Sequence, residues 1–279
     1  MYFKKTSILI ASLLPLLTFS PTVFADMEYY QEVTSRRGVQ QPFWVIERDN
    51  ASASLVLFAG GKGKLKISED GIGKGKKNFL VRTRQKFAEH GFNVIIIDKP
   101  SDQASLFEFR TGEEHAQDIE AVIQFLRKKY NKPVWLVGTS RGTISAANAA
   151  ARLRGANGPD GIVLTASVVV ASQQASLNDV SLANIKVPTL FVHNEDDGCH
   201  VCPFSEVEDV MYLLSKVKDK GLQVHKGGNR DGNNECRGMT PHGFYGLETK
   251  VVQDIVDWIK PRIKQPRGVA RKGVPETSL

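Results

Sequence analysis

The sequence predicts a single α/β domain in which a mostly parallel sheet is covered by helices on both faces, giving three layers. From Ser54 onward, short apolar runs alternate with stretches of helical period, the order such a sheet requires. The runs lack the apolar/polar alternation of half-exposed strands, as strands buried on both faces should. Over 279 residues, 41% hydrophobic and 24% charged content is the balance of a globular protein with a full core.

Taken in chain order, the first 25 residues read as an export signal. Lys4 and Lys5 precede the apolar stretch Ile8 to Phe19, and Val23-Phe24-Ala25 suits cleavage after Ala25. Pro15 interrupts the apolar stretch, which argues against an uncleaved membrane anchor. The expectation is an exported protein, periplasmic or secreted, with no stable membrane insertion after cleavage. A single domain is then expected over residues 26–262, with no internal repeat and no composition shift to mark a second unit.

The strand-like runs are Ser54–Phe58, Phe92–Ile97, Pro133–Val137, Gly161–Ala166, Val187–His193 and Leu222–His225. Between them, Thr111-x-x-Glu114 has the spacing of a capping box, followed by Ile119, Val122, Ile123 and Leu126 on one helical face. Ser205-x-x-Glu208 repeats the spacing before Val207, Val210, Met211 and Leu214. An Ala-rich helix is expected from Thr143 to Leu153. Leu247, Val251, Ile255 and Ile259 mark a last helix, which Pro261 should weaken. From Lys260 to Leu279 six Lys/Arg lie among Pro and Gly, and residues 263–279 read as a basic flexible tail.

The formal charge of +7, from 37 Lys+Arg against 30 Asp+Glu, is spread thinly. No segment interleaves basic runs with aromatics, which disfavours nucleic acid as a partner. The Gly/Lys-rich stretch from Gly60 to Lys77 contains no G-x-x-x-x-G-K-[S/T] register, so it reads as a mobile loop and not a phosphate cradle.

Chemistry enters at Gly138-Thr139-Ser140-Arg141-Gly142, a G-x-S-x-G match. Trp135-Leu136-Val137 runs into it as a strand and the Ala-rich helix runs out. A turn this tight strains its central residue and lifts the Ser140 hydroxyl clear of the sheet. A serine hydroxyl is a weak nucleophile that needs a base, and the base needs a partner to fix its tautomer. The strand ending at His193 opens into Asn194-Glu195-Asp196-Asp197, and Pro241-His242-Gly243-Phe244 lies between the last strand and the last helix. The chain order is Ser, Asp, His.

These three segments resemble the α/β-hydrolase superfamily, over about Ser54 to Trp258. The resemblance implies Ser140 as nucleophile, Asp197 as orienting acid with Asp196 as the alternative, and His242 as general base. It also implies an oxyanion hole built from the backbone N–H of Arg141 and, in Ala59-Gly60-Gly61-Lys62-Gly63, that of Gly61 or Lys62. Phe58-Ala59 stands where the family has a His opening this turn. Only Ser167 to Lys186 separate two strand-like runs, too little for a helical cap domain. The pattern is therefore similar to the lidless carboxylesterase and dienelactone-hydrolase-like branch.

Three cysteines, Cys199, Cys202 and Cys236, cannot all pair within the chain. If the triad forms, the Asp197 loop meets the His242 loop, and a Cys199–Cys236 bridge would join them, with Cys202–Cys236 as the alternative. Closing a loop of about 37 residues would contribute roughly 3–4 kcal/mol in the chain-entropy model. Cys199-His200-Val201-Cys202 also has zinc-ligand spacing, but no second close pair accompanies it and export favours oxidation, so no metal is expected.

The expected function is hydrolysis of an ester or related acyl bond on a small-molecule substrate through an acyl-Ser140 intermediate, with no cofactor. A serine peptidase or thioesterase fits the same residues. A catalytically silent envelope-binding protein on the same fold is the reading from another class.

Overall fold

The computed structural model describes residues 27–263. The signal segment expected over 1–25 and the basic tail expected over 263–279, apart from Ile263, lie outside the described residues.

Eight strands form the main sheet. In chain order, β1 (Met27–Thr34) and β2 (Gln40–Glu47) precede β3 (Ala53–Phe58), and the short strands β4 (Ile67–Ser68) and β5 (Gly71–Ile72) make a separate hairpin. Then follow α1 (Phe79–Glu89), β6 (Phe92–Ile97), α2 (Glu113–Tyr130), β7 (Val134–Thr139), α3 (Gly142–Arg152) and β8 (Gly161–Thr165). The chain continues through β9 (Thr189–Asn194), α4 (Val207–Tyr212), β10 (Lys220–His225) and α5 (Glu248–Ile259). The sheet order is β1-β2-β6-β3-β7-β8-β9-β10. Pairing is parallel from β6 to β10 and antiparallel at β1–β2 and β2–β6.

Each of the six strand-like runs corresponds to a strand, with ends that agree to within two residues. The added pair, β1 and β2, was not expected. No residue of β1 is fully buried and β2 carries Pro42, so neither has the continuous apolar character that marks an interior strand.

Successive strand residues point to opposite faces, and each face has its own core. Val56, Phe58, Leu136 and Ile95 pack with α2, α3 and α4, whereas Leu55, Leu57, Trp135 and Val137 pack with α1 and α5. The stripes read from the sequence supply these contacts: Ile119, Val122, Ile123 and Leu126 on α2, and Val251, Ile255 and Ile259 on α5, are all fully buried. α5 ends at Ile259, and Pro261 sits in the short 3-10 turn that follows.

Neither expected capping box forms. α2 starts from Gly112, whose extended backbone makes it the N-cap, so Thr111 lies one residue too early to reach the first turn. Ser205 sits inside a 3-10 turn, Phe204–Glu206, that runs into α4 without an extended residue between them, leaving no cap geometry for its hydroxyl. Among the described α-helices, α1 is the one with a side-chain cap: Asn78 accepts from the N–H groups of Leu80 and Val81.

The stretch from Gly60 to Lys77 is anchored, contrary to its reading as a mobile loop. Leu65 and Ile67 are buried, and their N–H groups donate to the two carboxylate oxygens of Asp98 at 2.7 and 2.8 Å. Residues 167–186 hold two 3-10 turns and no α-helix, so no cap domain rises between β8 and β9. No described helix is long and apolar enough to cross a membrane.

Candidate active site

Ser140 stands between the end of β7 and the start of α3 with φ of 53°, in the left-handed region that a side chain rarely adopts. Three glycines make that turn possible. A β-carbon on Gly138 would lie 2.4 Å from the Gly142 oxygen, and one on Gly142 would lie 2.0 Å from the Phe58 oxygen. The third, Gly60, would place a β-carbon 2.9 Å from the Ser140 β-carbon. The turn is held at both ends, since Ser140 N–H donates to Thr165 O at 2.9 Å and the Thr143 hydroxyl donates to Ser140 O at 2.6 Å. The G-x-S-x-G reading located this turn; it did not identify Gly60, which approaches from the neighbouring strand end.

His242 Nδ1–H donates to Asp197 Oδ2 at 2.8 Å, and both side chains are almost completely buried. The other Asp197 oxygen accepts the N–H of Cys199 at 2.9 Å. Asp196 turns away: its carboxylate accepts the N–H of Gly227 at 2.8 Å. Arg82, on α1, fixes the histidine turn from behind by donating to Gly243 O while pairing with Glu248 of α5. His193 is buried at the end of β9 with its Nε2 accepting the Ser167 N–H, and burial followed by the nearby His242 pushes its pKa down to about 3. It is a neutral, structural histidine.

Ser140 and His242 line one cavity of about 680 Å³, together with Gly60, Gly61 and Thr139. No hydrogen bond joins the serine to the histidine among the described residues. The Ser140 hydroxyl instead contacts the thiol of Cys202, which burial and then the neighbouring Asp197 carboxylate push well above its ordinary pKa. Cys199 and Cys236 form a disulfide with Cα atoms 4.5 Å apart, and Cys202 is free and buried. The bridge joins the loop carrying Asp197 to the loop leading to His242. Sulfurs of Cys199 and Cys202 and a ring nitrogen of His242 cluster within 4.8 Å, but a disulfide sulfur offers no thiolate to a metal.

On the other side of Ser140, the N–H groups of Gly61, Lys62 and Arg141 make no hydrogen bond among the described residues. Their turn is organised by Arg110, which the sequence reading missed. This side chain is 1% exposed and has no carboxylate partner among the described residues. Its guanidinium donates to Ala59 O at 3.0 Å, Gly61 O at 3.3 Å and the Ser145 hydroxyl at 2.6 Å. Burial, then the nearby Arg141, lower its pKa to about 9, which leaves it protonated at neutral pH. Because a peptide is planar and trans, the Lys62 N–H points away from the Gly61 carbonyl that Arg110 holds. Ser145 also bonds His115, another buried histidine, whose pKa falls to about 3 through burial and the adjacent Arg110 and Arg36 charges. No sequence spacing signals Arg110, because an arginine in a connecting segment ordinarily faces solvent.

The fold is that of the α/β hydrolases. An esterase from Pyrococcus furiosus superposes with a TM-score of 0.63 at 13% identity, over 86% of this chain and 92% of that one. A cold-adapted esterase from an Arctic intertidal metagenomic library superposes with a TM-score of 0.57 at 17% identity, over 85% and 94%. A Xanthomonas campestris α/β serine hydrolase without a lid gives 0.54 at 15% identity, over 83% and 96%. No protein-family model matches the sequence. No curated protein matches it either.

Proposed function

We propose that the protein is a serine hydrolase that cleaves an ester or related acyl bond of a small molecule through an acyl-Ser140 intermediate. The observation that carries this reading is the buried His242–Asp197 pair opening onto the same cavity as a serine held at φ 53°. The esterase neighbours support it at the level of fold.

In this mechanism Ser140 Oγ attacks the substrate carbonyl carbon while its proton passes to His242 Nε2. Asp197 stays ionised, holds the Nδ1 proton and stabilises the imidazolium. The oxyanion develops toward the free N–H groups of Arg141 and Lys62, with Gly61 as the alternative donor. Collapse breaks the acyl–oxygen bond, and the leaving alcohol takes the proton from His242. Water then loses a proton to His242, attacks the acyl carbon and releases the acid as Ser140 recovers its proton. The serine and histidine must first close to hydrogen-bond distance; such contacts are often long in unliganded sites and tighten around the substrate.

A fluorophosphonate probe tests the reading. Stoichiometric labelling that disappears in Ser140→Ala supports it, and folded protein that takes no label overturns it in favour of a silent binding protein. We also propose that the protein works outside the cytosol; a disulfide beside the site fits an oxidising compartment.

A further inference from the structure

The charge around the cavity points to a substrate class. The cavity that Ser140 and His242 line is also lined by Lys74, Lys76, Lys77 and Arg237 against a single carboxylate, Asp231. Asp231 is already committed to Lys77, at 3.3 Å. Lys74, Lys76 and Arg237 have no acidic partner among the described residues.

These cations stand on supported backbone. Lys74 N–H donates to Leu65 O at 2.7 Å, and Arg237 is tied at both ends, its N–H to Asn234 O and its carbonyl to the Thr240 hydroxyl. Arg237 also follows the disulfide-bonded Cys236. The two loops touch, since a β-carbon on Gly238 would lie 2.2 Å from Lys77 O. Their charges therefore form one rim. Behind the oxyanion turn the sign is the same: buried Arg110 has no carboxylate partner among the described residues, and Lys62 and Arg141 share the ring of Phe107 at 5.9 and 5.4 Å. The other acid of the site, Asp197, is engaged by His242. A concave surface of one sign focuses field on whatever enters it.

Resting on the acyl-serine reading above, we propose that the natural substrate is an ester that carries a second, anionic group, a carboxylate or phosphate, bound by Arg237, Lys74 and Lys76 while its carbonyl lies at Ser140.

The test compares mono-p-nitrophenyl glutarate with p-nitrophenyl hexanoate, acyl chains of similar length that differ in a terminal carboxylate. The expected kcat/KM ratio favours the glutarate ester by at least about 10-fold at low salt. It should shrink toward one as sodium chloride is raised, because exposed charges are screened over about 8 Å at 0.15 M ionic strength. It should also fall several-fold in Arg237→Gln and further in Lys74→Gln/Lys76→Gln/Arg237→Gln, the hexanoate ester serving as reference within each variant. A ratio near one in the unaltered protein, or a ratio that the triple variant leaves in place, overturns the proposal. Free glutarate and free phosphate as competitive inhibitors identify the group preferred, and inhibition by neither overturns it as well. Calorimetric binding of both esters to Ser140→Ala separates the two readings. Preferential binding of the glutarate ester without turnover in the unaltered protein keeps the anion site and removes the acyl-serine mechanism. Turnover of both esters at equal rates does the reverse.

Discussion

Gly60 and Ser140 approach so closely that any β-carbon at position 60 would sit 2.9 Å from the Ser140 β-carbon and 3.1 Å from Thr139 O. The first neighbour is the proposed nucleophile and the second is backbone, so neither yields cheaply. Gly60→Ala should reduce kcat/KM by about 10- to 100-fold, the scale expected when a reacting group is displaced by less than an ångström or so. The urea midpoint should change far less. Activity near that of the unaltered protein would show that the turn tolerates the shift.

Asp197 and Asp196 are adjacent in sequence but bond different partners, His242 Nδ1 and the Gly227 N–H. Asp197→Asn should lower kcat by roughly 10⁴-fold, because an amide can hold the wrong imidazole tautomer and cannot stabilise the imidazolium. Asp196→Asn keeps an oxygen for Gly227 and should cost less than about 10-fold. Steady-state kinetics on one chromogenic ester distinguishes them; the opposite ranking would reassign the acid.

Arg110→Met should remove the donors to Ala59 O and Gly61 O while filling most of the buried volume. The buried Ala59 carbonyl then lacks a partner, at about 1–3 kcal/mol, whereas Gly61 is exposed and its carbonyl turns to water. If Arg110 positions the oxyanion turn, kcat falls by about 10-fold or more with little change in KM, and Arg110→Lys recovers part of it. A stability loss with kcat intact would make the role purely structural.

Breaking the Cys199–Cys236 bridge frees a 37-residue connection between the two loops that bring Asp197 to His242. Cys236→Ser should lower stability by about 3–4 kcal/mol if the unfolded chain is the main thing constrained. Alkylation of the unfolded, unreduced protein should add one label, on Cys202, and three after reduction. Three labels without reduction would remove the bridge.

His115 and His193 are fully buried, each with a pKa lowered to about 3 from an ordinary value of 6.5, burial being the first cause for both. Below pH 6.5 the unfolded chain binds protons that the folded protein refuses. Their contribution is thus complete above that pH and is lost as pH falls toward 3. By pH 5 the loss should reach about 2 kcal/mol per histidine. Urea midpoints measured from pH 7.5 to 4.5 should decline accordingly, with a shallower slope in His193→Phe. A flat profile in the unaltered protein would contradict the burial of both rings.

Much of this molecule was readable from local pattern. Strand–turn–helix punctuation around Ser140 depends on steric limits within a few residues, so Gly138 and Gly142 announce the turn wherever they occur. The same holds for five interior strands, β3 and β6 to β9, for the edge strand β10 and for the helical stripes of α2 and α5, because burial imposes its pattern directly on the residue order. The two expected caps failed for a related reason: Thr111 and Ser205 have the spacing, but the backbone just before each helix, set by packing, takes a shape that their side chains cannot serve.

What linear order left open were the choices between near-equivalent partners. Asp197 meets His242 and Asp196 does not, Cys236 pairs with Cys199 and leaves Cys202 free, and Arg110 is drawn inward to carbonyls about 50 residues away. Each outcome depends on where the ends of β3, β7 and β9 come to rest relative to one another. That arrangement follows from how the sheet twists and how its layers pack over the whole chain, and segments too short to feel those forces carry no record of it.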